Sequence, residues 1–154
     1  MSPKSLYRFF AIGEAFTWAL LITALIIRAL SESLSFFVTV AGTIHGAMFL
    51  SYCTTSVLVG VNQRWRFGRI SASVLLAIVP FATVPFDRNL MKNRALEGAW
   101  RTSSSEDPRD NTSFDRLFRW FIARPVLLIF TLLAAVVALF SFLLFLGPPT
   151  EWFD

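Results

Sequence analysis

Glu14 and His45 are the residues of this sequence best placed to do chemistry in an unexpected setting, because each stands inside a long apolar run. A carboxyl or imidazole taken out of water at membrane depth is costly, so it has a partner or a task. Together such groups can pass a proton, hold a cation or bind a polar ligand. They can equally act as a polar clip that fixes the register of two helices, or touch a partner subunit. Tyr52 is a third polar group in the same region. If the turn between the first two apolar runs centres near Glu32, Tyr52 lies closest in level to Glu14, with His45 about 7 Å away along the axis. Glu14, His45 and Tyr52 therefore form a candidate intramembrane cluster, in which Glu14 bonds Tyr52 or a neighbouring hydroxyl.

Other chemistry finds little material. One histidine and one cysteine, Cys53, do not make a metal-ligand set at recognisable spacing. Haem would find a single axial candidate in His45. Cys53 reads as a small buried hydrophobe. There is no phosphate loop, nucleophile elbow or paired-carboxylate motif. The expectation is a protein without catalytic, cofactor or metal residues, hence not an enzyme.

The elements that hold these groups are long and apolar. Of 154 residues, 55% are hydrophobic and 16% charged, against about a quarter charged in a soluble domain. Mean hydropathy is +0.61. The net charge is +4, but the basic residues flank apolar runs, which points to lipid headgroups and away from nucleic acid. Lys4 and Arg8 before an apolar stretch imitate a signal peptide, yet Glu14 interrupts that stretch, so a retained helix is expected.

The first span covers residues 6–27, about 33 Å of helix against a hydrocarbon core of about 30 Å. Ala11, Ala15 and Ala19 make a small-residue stripe on it. The second covers residues 36–61 and carries Gly42 and Gly46, small residues four apart. These five positions are the expected helix-packing seam. The third, residues 70–86, is short and contains Pro80 and Pro85, so it is expected to be kinked or re-entrant.

From Arg88 to Arg124 the chain turns polar. Residues 91–113 read as a flexible linker. Residues 114–123 place Phe114, Leu117, Phe118 and Phe121 on one face, as in a basic interfacial helix with Arg116 and Arg119 at lipid headgroups, though the segment could simply extend the next span. The last span, within residues 124–154, has only Thr131 and Ser141 as polar groups before Gly147-Pro148-Pro149, and Trp152 and Phe153 would anchor the tail. The fold expected is an all-α polytopic membrane bundle of about four transmembrane helices plus the interfacial helix. Residues 1–90 would form one membrane module and 124–154 a separate anchor. The positive-inside rule puts the loop 88–123 in the cytoplasm of a bacterial plasma membrane and the C-terminal tail outside. With a re-entrant third segment, all but Arg28 of the 14 Lys and Arg fall inside.

The order Arg8-x5-Glu14, then Gly42-x2-His45-Gly46 with Phe49 and Tyr52, then Pro80-Phe81-x4-Phe86-Asp87-Arg88, resembles the YdzA-like small bacterial integral membrane proteins. The likeness covers residues 6–90, departs from the family pattern at Ala15, where glycine is expected, and leaves the last span as an added module. It implies a membrane module and adds no reaction. On residues and likeness together, the expected role is a non-catalytic accessory or assembly subunit of a larger membrane complex, with a respiratory-chain complex as host by analogy. Its partners would be other membrane subunits and lipid. The alternative is a small proton-coupled transporter using Glu14 and His45.

Overall fold

A computed structural model describes residues 1–31 and 35–146, apart from the side chain of Leu144. The turn at Glu32 and Ser33, and the tail with Gly147, Trp152 and Phe153, lie outside the described residues. Within them the secondary structure is helical throughout, with no strand. Helix α1 is Pro3–Leu30, α2 Ser35–Asn62, α3 Phe67–Leu76 and α4 Thr83–Lys92. A 3-10 helix, Pro108–Asn111, precedes α5, Ser113–Ile122, and α6, Pro125–Phe145. Helices α1, α2 and α6 are long and apolar enough to cross a membrane. The protein is thus an all-α membrane bundle.

The ends of α1 follow from local chemistry. Ser2 Oγ accepts from the Ser5 N–H at 3.1 Å and Pro3 occupies the first turn, where its missing donor costs nothing. At 28 residues, α1 and α2 are each about 42 Å long, enough to cross the hydrocarbon and reach both headgroup layers.

The third segment, expected to be kinked or re-entrant, is two short helices, so among the described residues three helices have spanning length. Helices α3 and α4 have 10 residues each, about 15 Å apiece. Pro80 lies in the turns between them, and Phe81 takes the left-handed region at φ 62°. A bulky residue there is uncommon, so the surrounding packing enforces the break. The junction of α2 and α3 depends on Gly60. A Cβ at that position would lie 2.7 Å from Ile70 Cγ1, so only glycine admits α3 this close.

The chain divides into two compact units, Met1–Gly98 and Ala99–Asp154. The division falls later than the expected residue 90 because the segment after α4 packs back on the first unit. Trp65 Nε1 donates to the Ala95 carbonyl at 2.8 Å, and Leu96 is buried. In the first unit α1 packs mainly on α2, and α4 lies against α1.

The second unit orders residues expected to be a flexible linker. Asp110 is buried and accepts from the Ser105 N–H and Ser105 Oγ, both at 2.7 Å. Arg101 and Arg119 reach the same carboxylate at 3.4 and 3.3 Å. Thr112 caps α5 by accepting from the Asp115 N–H at 3.1 Å. Phe114, Leu117 and Trp120 are exposed along one side of α5. Helix α6 has only Thr131 and Ser141 as polar residues and buries none of its spanning window.

Candidate functional site

Buried positions on α1 recur as Tyr7, Ala11, Glu14 and Thr17, a stripe of three- and four-residue steps. Helix α4 presents Thr83, Asp87 and Leu90 at the same kind of spacing. Helix α2 adds His45, Tyr52 and Ser56. The three faces enclose a polar column inside the first unit.

Glu14 is 0% exposed. Its Oε2 accepts from Thr83 Oγ1 at 3.2 Å, and the same hydroxyl lies 3.2 Å from the Ala11 carbonyl, so one hydrogen is shared between two acceptors. Oε1 has no hydrogen-bond partner among the described residues. The expected partner on α2 is therefore replaced by a hydroxyl on α4. The register explains the change. Tyr7 pairs with Tyr52, Gly13 lies against Met48, and Thr17 pairs with His45. These pairs put Glu14 level with Met48 and place Tyr52 about two turns nearer the Arg8 end.

His45 Nδ1 lies 3.0 Å from Thr17 Oγ1. That hydroxyl also donates to the Glu14 carbonyl at 3.0 Å, so it links the His45 ring to the backbone of α1. Its ring lies 4.4 Å from the Trp18 ring, and Trp18 Nε1 donates to the Ala77 carbonyl at 3.1 Å. Trp18 thereby closes the inner end of the column.

At the other end, the Tyr7 and Tyr52 hydroxyls are 2.9 Å apart, and the Tyr7 ring stands edge-on to Trp65 at 5.8 Å. Asp87 Oδ2 takes the Arg8 Nε–H at 3.3 Å, whereas Oδ1 has no partner among the described residues. The Arg8 side chain is 41% exposed, so this end reaches the surface of the unit.

Glu14, His45 and Tyr52 thus share one column, each with a different partner. Tyr7, Thr17, Ser56 and Thr83 were missed as members. Tyr7 and Glu14 are seven apart, and Thr83 and Asp87 four, which are helical repeats visible in the sequence.

The expected seam is only partly occupied. Ala11 and Ala15 are buried, but Ala19 is exposed. Ala11 serves α4 through its carbonyl. A Cβ on Gly42 would meet only Leu21 Cδ1, at 4.0 Å, so no close backbone approach occurs there. Gly46 is half-buried. Arg116 is exposed, whereas Arg119 turns inward and donates to the Asp110 carbonyl at 2.6 Å. Arg119 is therefore a structural ion-pair partner and not a headgroup contact. No group of three or more His, Cys, Asp or Glu that could hold a metal occurs among the described residues.

Fold and column together define a polytopic α-helical membrane protein whose polar interior belongs to the first unit. The family described as a domain of unknown function, DUF3817, matches residues 4–92, and the chain belongs to it. A Streptomyces coelicolor protein named "Putative membrane protein" is 39% identical over 82 residues, which are 53% of this chain and 10% of that protein. The chain thus corresponds to a small part of the curated relative it matches. No solved structure matches it.

Proposed function

We propose that this chain is a non-catalytic accessory or assembly subunit that works beside a larger membrane protein, with its first unit as the module that the family shares. The observation that carries this reading is the size of the relative. The matched stretch makes up only 10% of that protein, so the same module is built there into a chain about ten times as long as the stretch itself. A module that the relative carries within a much larger protein fits a helper better than a self-contained machine. The apolar, unburied α6 supports the same view, since it offers a full helix surface for a neighbour or for lipid. The interior hydrogen bonds of Glu14 and His45 are consistent with structural roles.

A respiratory-chain host, and the YdzA-like name, rest on analogy alone. Loop 88–123 is assigned to the cytoplasm and the C-terminal tail to the outside by the distribution of basic residues. The test is extraction of native membranes in a mild detergent or polymer nanodiscs, followed by sizing and mass spectrometry. Migration in an assembly well above 17.4 kDa, with a constant companion, supports the reading. Migration alone at its own mass, without a companion in either medium, removes it.

A further inference from the structure

We propose that Glu14 is a proton-exchanging site served by internal water from one membrane face only, the face at which Arg8 and Asp87 lie. The inference rests on which polar atoms are left over. Glu14 Oε1 is fully buried and unpartnered, while Oε2 is engaged by Thr83. If the carboxyl is neutral, Oε2–H can donate to Thr83 Oγ1, whose own hydrogen goes to the Ala11 carbonyl, and Oε1 is left as a buried acceptor without a donor; if it is ionised, a lone pair and a charge lack a donor. Either form is costly without a further partner, and a buried water bound by neighbouring polar groups is the ordinary remedy.

The second orphan sets the direction. Asp87 Oδ1 is buried and unpartnered at the level of Arg8, where the column reaches the surface of the unit. At the same end as Asp87 stand the Tyr7–Tyr52 hydroxyl pair, two turns along from Glu14, and fully buried Ser56. Along α1 the distance from Arg8 to Thr17 is about 14 Å, half a hydrocarbon layer.

Beyond Thr17 the column stops. Trp18 packs on His45 and is held by the Ala77 carbonyl. The remaining buried position of α1 is Ala24, and Thr23 is exposed and turned onto the Ala19 carbonyl. The geometry is therefore a half-channel with a closed inner end. In the exchange step the O–H bond at Glu14 breaks and one forms on an adjacent water. The resulting hydronium passes its proton along the hydroxyls to the solvent at Arg8 and Asp87, and the reverse restores the acid.

Infrared spectroscopy of the full chain in lipid nanodiscs tests this. The protonated-carboxyl band that disappears in Glu14→Gln should shift within minutes of transfer from H2O to D2O. Tyr52→Phe, with helicity verified by circular dichroism, should slow that shift about tenfold, as loss of one hydrogen-bond step would. Thr23→Val should leave it unchanged. In vesicles holding a pH dye, the protein should add no proton leak, because the inner end is closed. A Glu14 band that does not exchange, or no band lost in Glu14→Gln, overturns the site. Equal slowing by Thr23→Val overturns the route, and a leak above protein-free vesicles overturns the closed end.

Discussion

Thr83 Oγ1 lies 3.2 Å from both Glu14 Oε2 and the Ala11 carbonyl, so a single hydroxyl on α4 ties down two acceptors on α1. Replacing Thr83 by valine keeps the shape and removes the donor. The expected cost is about 1–3 kcal/mol, the range for stranding a buried polar partner. Thr83→Ser should recover most of it. Unfolding in mixed micelles with increasing sodium dodecyl sulfate measures both, and equal stability of wild type and Thr83→Val would dismiss the bond as incidental.

The hydroxyls of Tyr7 and Tyr52, 2.9 Å apart, should be energetically coupled. A double-mutant cycle with Tyr7→Phe and Tyr52→Phe is expected to give about 0.5–1.5 kcal/mol. Strict additivity of the two single changes would show that the pair contributes nothing jointly.

Two glycines of α2 should respond in opposite ways. Gly60→Ala drives a Cβ to 2.7 Å from Ile70 Cγ1 and should cost about 1–3 kcal/mol through displacement of α3. Gly42→Ala has room and should be neutral or stabilising by up to about 1 kcal/mol, the difference in helix propensity. Thermal melts in one detergent suffice, and a larger loss at Gly42 than at Gly60 would contradict the packing.

These contrasts mark what the residues alone make legible. Spanning length and apolarity identify α1, α2 and α6 directly, because burial in lipid needs only length and composition. Pro80 and Pro85 announce a defect between residues 70 and 86, but not that it would split the segment into α3 and α4, since proline kinks some helices and ends others. Glu14 and His45 stand out as polar residues in apolar runs. Their partners do not, because a turn centre misplaced by one or two residues moves every cross-helix pair by twice that. Thr83 is hidden by lying in the short segment expected to be kinked or re-entrant, and Asp87 by lying just past its end. Arg119 was read as a surface charge because nothing in its local pattern reveals that Asp110 folds back over it.

Asp110 gathers Arg101, Ser105 and Arg119, so Asp110→Asn should loosen the second unit while leaving the first intact. The Ser105 amide, now bonded to Asp110 at 2.7 Å, is expected to exchange with deuterium at least about tenfold faster, the equivalent of one charge-assisted bond. Unchanged protection at Ser105 would mean that the neighbouring backbone, and not the carboxylate, orders this segment.

Arg109 is a test point for orientation, being 67% exposed and paired only locally with Asp107 at 2.7 Å. Trypsin added to inverted vesicles should cut there, and trypsin added to right-side-out vesicles should not. The opposite pattern would reverse the topology.

The bond from Trp18 to the Ala77 carbonyl bears on how the protein is made. Ala77 sits at the broken end of α3, where a helix leaves carbonyls without internal donors. Lipid cannot supply those donors, so the α3–α4 segment is poorly suited to leave the insertion machinery as an independent span. It needs α1 already in place to offer the indole. The order of synthesis provides this, since α1 and α2 emerge first and can form their hairpin before residue 77 arrives. Moving Trp18, or delaying α1, should therefore appear as a defect in membrane insertion during translation rather than as a change in the finished protein.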